Sequence, residues 1–151
     1  MSEQCKPRLV VSRCLGFEAC RYNAQMIADD LIKRLQPFVE MITVCPEADI
    51  GLGTPRDPVR LVQVDKKVRM LQPATGADVT DLMHDYIGIR IKAFVGVDGF
   101  LMKGRSPSCG PSVVKVITVI RRVVRRLREW ACLRMLWRRR FRMQRWKMKG
   151  G

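Results

Sequence analysis

The sequence has no apolar run long enough to cross a membrane and no recognisable secretion signal. No window reaches the roughly 18 consecutive apolar residues that a membrane helix needs. The stretch "MSEQCKPRLVVSRC" has no long apolar segment before its first basic residues. We therefore expect no transmembrane segment and predict a cytoplasmic protein, whose 151 residues are enough for one ordinary domain.

Histidine is almost absent, whereas cysteine is not. The one histidine, His84, falls in a predicted helix, where a single histidine is more often solvated or packed than a ligand. Disulfides are rare in reducing compartments, so the six cysteines do not indicate a disulfide framework. Metal binding or thiol chemistry is the better interpretation.

Acidic residues are scarce in one segment only. Residues 119–151 contain 13 Lys/Arg, all three tryptophans and a single acid, Glu129. Residues 1–118 contain 16 Lys/Arg against 13 Asp/Glu, so most of the net charge of +15 lies in the tail. We therefore divide the chain into a globular domain at 1–118 and a basic, atypical tail at 119–151.

Two interpretations of this tail remain open. Apolar residues from Val119 to Ala131 keep helical spacing between arginines, which favours a basic helix that binds RNA or a membrane surface. Tryptophan and arginine also suit stacking on unpaired bases. The alternative is an out-of-frame or truncated segment, because a shifted reading of GC-rich coding DNA enriches Arg, Trp, Met and Cys.

Residues 1–118 alternate strand patterns with helix patterns. Two segments have helical spacing, the second with Asp78 or Thr80 as its N-cap: "AQMIADDLIKRLQPFVE" and "VTDLMHDYIGIRIKAF". Several short apolar runs read as strands: "RLVVS", "MITV", "VRLVQV", "VRMLQP", "DGFLMKG" and "VVKVI". This order predicts an α/β fold, a small Rossmann-like domain with a mostly parallel open sheet and flanking helices.

Three cysteines, Cys14, Cys45 and Cys109, each lie in a loop just after a predicted strand. Ligands of open parallel sheets bind at the carboxyl ends of the strands, so we expect the three thiols at one edge. Separate buried structural thiols are the alternative, although all three positions are in Gly/Pro-rich loops. Three thiolates without a histidine suit an iron–sulfur cluster better than a zinc site.

The resemblance of four motifs to a known family extends this interpretation. "VSRCLGFEACRYN", "VCPEADIGLGTPRDPVRLV", "QPATGADVTDLM" and "VDGFLMKGRSPSCG" together resemble the DUF523 family, over about residues 8–116. TudS-type members of that family are thiouracil desulfidases with an oxygen-sensitive 4Fe-4S cluster. The resemblance implies a 4Fe-4S cofactor held by Cys14, Cys45 and Cys109, with one iron free for substrate. Cys20 is not counted as a ligand.

The resemblance also implies a reaction and its catalytic residues. Sulfur is removed from a thiolated pyrimidine, either a small molecule or a thiolated RNA nucleoside, giving the oxo-base and sulfide. Glu47 of "CPE" resembles the family's catalytic carboxylate, and a solvated loop acid is the alternative. Ser106 and Ser108 of "RSPSCG" are predicted to orient water or to bond cluster sulfur. Turn residues that bond their own backbone are the alternative for Ser108.

A second set of residues is predicted to bind the substrate: Arg21, Tyr22, Asn23, Gly51, Gly53 and Arg56. The glycines of "GLGTPRDP" would offer backbone N–H groups, and Arg56 a guanidinium, to an anion. A rigid loop that closes over the cluster is the alternative. Ala24 stands where the family commonly has glycine, which costs stability if that position needs positive φ.

Two other functions fit parts of the sequence. A non-catalytic RNA-binding protein would use the basic tail, and its binding would depend strongly on salt. A thiol-based redox or zinc-storage protein would use the same cysteines with zinc in place of iron.

Overall fold

The computed structural model describes residues 5–110, 114–118 and 127–129. Within these ranges the chain forms two helices, α1 (Asp30–Leu35) and α2 (Thr80–Ala93), and a π-helical turn at Ala48–Leu52. Its strands are β1 (Arg8–Ser12), β2 (Glu40–Val44), β3 (Arg60–Val64), β4 (Lys67–Gln72), β5 (Ala77–Asp78), β6 (Gly99–Leu101), β7 (Val114–Thr118) and β8 (Leu127–Glu129).

The first sheet is parallel, with the strand order β2-β1-β6. Val10 in the central strand is paired with Ile42 on one side and with Phe100 on the other. Val10, Val11 and Ser12 are buried, as expected for a central parallel strand covered on both faces. This sheet and its helices confirm the predicted α/β class.

The second sheet is mixed, with the strand order β5-β4-β3-β7-β8. β3 is parallel to β7, but the other neighbours are antiparallel. The reason lies in Asp65 and Lys66, which link β3 to β4 with φ of 47° and 64°. Two consecutive residues with positive φ form a tight hairpin turn, and a hairpin forces its strands to be antiparallel. The sequence did not predict this second sheet.

The first helix is shorter than its periodicity predicts. α1 begins only at Asp30, with the Asp29 carboxylate accepting a hydrogen bond from the Ile32 N–H at 3.2 Å. The segment before it is held away from helical geometry because the Ile27 N–H donates to the Cys14 carbonyl at 2.8 Å. That bridge ties the chain to the Cys14 loop, so tertiary structure overrides the local pattern.

The second helix lies where its pattern predicts, but its N-cap is Val79 and not Asp78 or Thr80. α2 begins at Thr80, whose N–H donates to the Asp78 carboxylate at 3.0 Å. Its buried residues pack on the mixed sheet in one core with Cys109. Cys14 and Cys20 belong instead to a core beside β1 and α1. The cysteine loops are thus anchored in two separate cores.

Little of the predicted tail is described. Leu127–Glu129 forms β8, antiparallel to β7, so the helix predicted from Val119 to Ala131 is wrong at these residues. Pairing with the edge of β7 satisfies backbone groups that a helix would satisfy internally. The rest of 119–151 lies outside the described residues. Among the described helices, none has the length and apolar character to cross a membrane.

Candidate active site

One cavity of about 360 Å³ lies at the carboxyl ends of β1 and β2. Its wall comes from the loops that follow β1, β2 and β6, with further residues from the segment before β3. Nine residues predicted from the sequence line it: Cys14, Arg21, Tyr22, Cys45, Glu47, Arg56, Ser106, Ser108 and Cys109. The three thiols therefore lie together at the carboxyl edge of the parallel sheet, as the sequence predicts.

The thiols of Cys14 and Cys109 are buried and that of Cys45 is half-buried. Burial, followed by the proximity of Cys109 and Cys45, raises the pKa of Cys14 to about 11. Burial also raises the pKa of Cys109, although hydrogen bonds from Ser106 and Ser12 act in the opposite direction. The Cys14 and Cys109 thiols therefore stay protonated near neutral pH until a cation replaces their protons.

Ser12 supports the Cys109 thiol, and the sequence analysis missed it. Its Oγ lies 3.5 Å from Cys109 Sγ and accepts a hydrogen bond from the Lys103 N–H at 2.8 Å. The side chain is buried at the last position of β1, two residues before Cys14. A hydroxyl at the carboxyl end of an otherwise apolar strand was the available signal.

Cys20 is also part of the wall. Its carbonyl accepts from the Cys45 thiol at 3.6 Å and from the Arg56 guanidinium at 3.0 Å. Burial, followed by the proximity of Cys45, raises the pKa of Cys20 to about 12. Cys20 therefore shapes the surroundings of Cys45 without having been predicted as a ligand.

Glu47 forms a buried ion pair with Arg56. Glu47 Oε2 accepts from Arg56 Nη2 at 2.9 Å and from Nε at 3.2 Å. The side chains are 10% and 4% exposed. Arg56 also donates to the carbonyls of Cys20 and Gly53 at 3.0 and 2.8 Å. The guanidinium therefore positions Glu47, and its predicted contact with a substrate anion stays a prediction.

A chain of hydroxyl groups leads from Glu47 into the cavity. Ser108 Oγ donates to Glu47 Oε1 at 2.8 Å and lies 3.1 Å from Ser106 Oγ. Because Ser108 has one proton and gives it to Glu47, its oxygen accepts from Ser106. Ser106 in turn accepts from the Cys109 N–H at 3.4 Å. The chain has one direction, with Glu47 as its final acceptor.

Three residues predicted to bind substrate lie outside the cavity wall. Asn23 is exposed and donates to the Gln25 side chain at 2.7 Å. Gly51 and Gly53 have φ of 91° and 73°, which a residue with a Cβ rarely adopts. Gly51 lies inside the π-helical turn with a non-helical φ, and Gly53, the C-cap of that turn, offers its carbonyl to Arg56. The positive φ angles of these two glycines therefore set the path of the loop that follows Glu47.

The wall carries an excess of positive charge. Arg21, Arg60, Lys103 and Arg105 line it together with Arg56, and Glu47 is the one acid among the described lining residues. Glu47 is already paired with Arg56. Four cations therefore remain without an acidic partner in the wall, and their field favours a negatively charged ligand.

The donor set fits an iron–sulfur cluster better than a single ion. In the described part of the chain, no three Cys, His, Asp or Glu side chains converge closely enough to hold one metal ion. In a cluster each thiolate binds a different iron, so three thiols spread around one cavity are suitable. The surrounding cations would offset the charge of three thiolates.

The fold and this site define an α/β protein with three thiols and a buried carboxylate at the edge of a parallel sheet. The 2-thiouracil desulfurase family model matches residues 9–126. The chain belongs to this family. The match extends past residue 118 into the segment that the sequence analysis assigned to the tail.

Two individual proteins are similar to the chain. A solved structure of the [4Fe-4S]-dependent thiouracil desulfidase TudS superposes with a TM-score of 0.70 and 26% identity, covering 89% of this chain and 86% of that one. The uncharacterized protein YbbK of Bacillus subtilis (strain 168) is 29% identical over 113 residues, 70% of this chain and 75% of YbbK.

Proposed function

We propose that this protein is a 4Fe-4S-dependent desulfidase that converts a thiolated pyrimidine and water into the oxo-pyrimidine and hydrogen sulfide. The observation that carries the proposal is the arrangement of Cys14, Cys45 and Cys109 around one cavity that also contains a buried carboxylate. The family and the similarity to TudS support the same reaction.

Cys14, Cys45 and Cys109 would hold the cluster. When bound, a cluster with three protein ligands supplies Lewis-acid chemistry for a thiocarbonyl sulfur, since one iron has no protein ligand. The three residues sit on separate loops that rigid strands support, which suits a catalytic group that must keep its geometry.

Glu47, Ser108 and Ser106 would move the protons. An attacking water gives a proton to Ser106 Oγ, Ser106 passes its own to Ser108, and Ser108 passes its proton to Glu47 Oε1. The carboxylate is the suitable final acceptor because Arg56 holds Oε2 while Oε1 is bonded to Ser108. The same chain run backwards returns this proton to the leaving sulfur, and the hydroxyl of the adduct gives up the second water proton, so hydrogen sulfide leaves and the carboxylate is regenerated.

The charge of the wall favours a thiolated nucleotide over the free base. Thiouracil is neutral in its ordinary form, whereas a 5′-phosphate would meet Arg21, Arg60, Lys103 or Arg105 at the cavity. Sulfide release from a thiouridine monophosphate should therefore show a lower KM than release from thiouracil. Added salt should raise the KM of the nucleotide alone, because it screens the charges.

Sulfide release by the anaerobically reconstituted chain tests the proposal. Wild type should release sulfide from a thiolated pyrimidine, and Cys14→Ala, Cys45→Ala and Cys109→Ala should each abolish it. Cys5→Ala is the matched control, because Cys5 is an exposed thiol outside this cavity. Sulfide release that survives in Cys109→Ala would contradict the assignment.

A further inference from the structure

Asp49 joins the loop of Cys14 to the turn that carries Cys45 and Glu47. Its carboxylate accepts from Arg13 Nη2 at 2.8 Å, and Arg13 is the neighbour of Cys14 in the chain. Its backbone N–H donates to the Cys45 carbonyl at 2.9 Å. One residue is thus bonded directly to both of these loops.

The same carboxylate is fixed to the second core through α2. Asp49 Oδ2 accepts from the Tyr86 hydroxyl at 2.6 Å and lies 3.6 Å from Arg90 Nη2. Arg90 Nε also donates to the Tyr86 oxygen at 3.2 Å, and its guanidinium lies 5.6 Å from the centre of the Tyr86 ring. The Asp49 side chain is 16% exposed and that of Arg90 is 35% exposed, so the carboxylate is mostly covered while its partners still reach water.

We propose that Asp49 is a positioning residue that fixes the spacing between the Cys14 thiol and the Cys45 thiol by clamping both loops to α2. Asp49 does not line the cavity, so it acts through Arg13 and the π-helical turn. The inference rests on the proposed function in assigning Cys14 and Cys45 to one cluster. The clamp itself is a property of the chain alone.

The Tyr86 phenol keeps the proton that it donates to Asp49. Burial, and then the hydrogen bond to Asp49, raises the pKa of Tyr86 to about 12. Arg13 and Arg90 face the same carboxylate at 2.8 and 3.6 Å. The Asp49 carboxylate therefore meets three donors, and its phenol donor is present near neutral pH.

The third thiol is held by different contacts. Cys109 Sγ lies against Ser12 Oγ, and the Cys109 N–H bonds to Ser106. Neither contact involves Asp49 or Arg13. Loss of the clamp should therefore loosen Cys14 and Cys45 and leave Cys109 in place, which is a pattern that general destabilisation does not produce.

Thiol alkylation of the metal-free full chain, followed by peptide mass spectrometry, measures this pattern. In Asp49→Asn we expect alkylation of Cys14 and Cys45 to accelerate about tenfold, since hydrogen bonds to charged groups limit local opening. The alkylation rate of Cys109 should stay within about twofold of the wild-type rate, because substitutions at distant sites affect each other little. Tyr86→Phe keeps the ring and should give a smaller effect of the same selectivity.

Asp78→Asn is the matched control. Asp78 pairs with Arg69 at 2.7 Å and bonds to Thr80, away from the cavity, so its loss weakens the protein without touching the clamp. The control should alter the three thiols alike. Selective acceleration in Asp49→Asn supports the clamp. Equal acceleration of all three thiols in Asp49→Asn, or none, overturns it.

The loaded protein gives an independent second readout. Asp49→Asn should lose iron to a chelator about 10- to 100-fold faster than wild type, as is typical when a residue supporting a metal ligand is lost. Arg13→Lys, which keeps the charge, should retain iron better than Arg13→Gln. If wild type binds no iron, the proposed function fails, while alkylation still decides the clamp.

Discussion

The buried polar side chains at the parallel sheet and at the mixed sheet have different hydrogen-bond partners. At the mixed sheet, buried Thr80 at the start of α2 accepts from the Met70 N–H of β4 at 2.8 Å, and Gln72 of β4 donates to the Asp57 carbonyl at 2.7 Å. Both satisfy nearby backbone groups. At the edge of the parallel sheet, Glu47, Ser108 and Ser106 bond instead to one another.

This difference indicates that the buried polar groups of the mixed sheet stabilise the fold, while those of the parallel sheet serve the reaction. Side chains that satisfy backbone groups complete a fold, whereas a connected run of hydroxyls ending in a carboxylate can carry protons. Substitutions on the loops of the parallel sheet should therefore affect turnover first. Substitutions in the core of the mixed sheet should affect the free energy of unfolding first.

Among substitutions that keep the three thiols, replacement of Glu47 gives the largest expected effect on turnover. Glu47→Gln keeps the shape but removes the base, so kcat should fall about 100- to 10,000-fold, the range of general-base catalysis. Bound iron should stay at the wild-type level because the thiols are unchanged. Glu40→Gln, at an exposed glutamate paired with Arg8, is the control and should keep wild-type kcat. Wild-type turnover in Glu47→Gln would remove this residue from the mechanism.

Truncation of Met83 tests whether the core of the mixed sheet contributes to stability rather than to turnover. Met83 on α2 is fully buried in the mixed-sheet core. Met83→Ala should lower the free energy of unfolding by about 2–5 kcal/mol, measured by urea denaturation, while the folded fraction keeps its kcat. Leu82→Ala, at an exposed neighbour, should change stability little. A fall in kcat without a fall in stability would break the comparison.

Arg60 lies where the two regions meet, since a residue of β3 lines the cavity. Arg60→Gln should raise the KM for a thiolated nucleotide about two- to fivefold, as is typical for one exposed charge, and leave kcat unchanged. Arg34→Gln on α1 is a control at an exposed arginine outside the cavity. An equal rise in KM for thiouracil would show that Arg60 does not recognise a phosphate.

Ala24 gives the smallest expected effect. Its φ is 54°, a value that glycine adopts more easily than alanine. Ala24→Gly should raise the free energy of unfolding by about 0.5–1 kcal/mol, because the strain removed exceeds the extra entropy of glycine. Ala28→Gly, at a position without positive φ, should not be stabilising. Thermal unfolding of both variants measures the difference.

The sequence could predict the common location of the thiols because strand-end loops of a parallel sheet meet at one edge. Cys14, Cys45 and Cys109 needed only the strand pattern and the position of each loop. The cost of alanine at position 24 depended on a positive φ there, and the φ of Ala24 is 54°. Whether each thiol binds iron stays a prediction.

Other features depend on contacts that no local pattern contains. Arg56 was predicted to face a substrate, but its donors meet Glu47, Cys20 and Gly53, which come together only in the folded chain. The late start of α1 depends on the bridge between Leu15 and Ile27. The role of Asp49 depends on α2, since Tyr86 lies 37 positions further along the chain.

Iron and acid-labile sulfide in the anaerobically purified chain measure directly whether the cavity holds the proposed cluster. We expect four iron and four sulfide per chain, as in the [4Fe-4S] cofactor named for TudS. Both should be lost in Cys14→Ala, Cys45→Ala and Cys109→Ala but retained in Cys5→Ala. Zinc in place of iron, or full iron content in Cys109→Ala, would contradict the proposed cluster and its ligands.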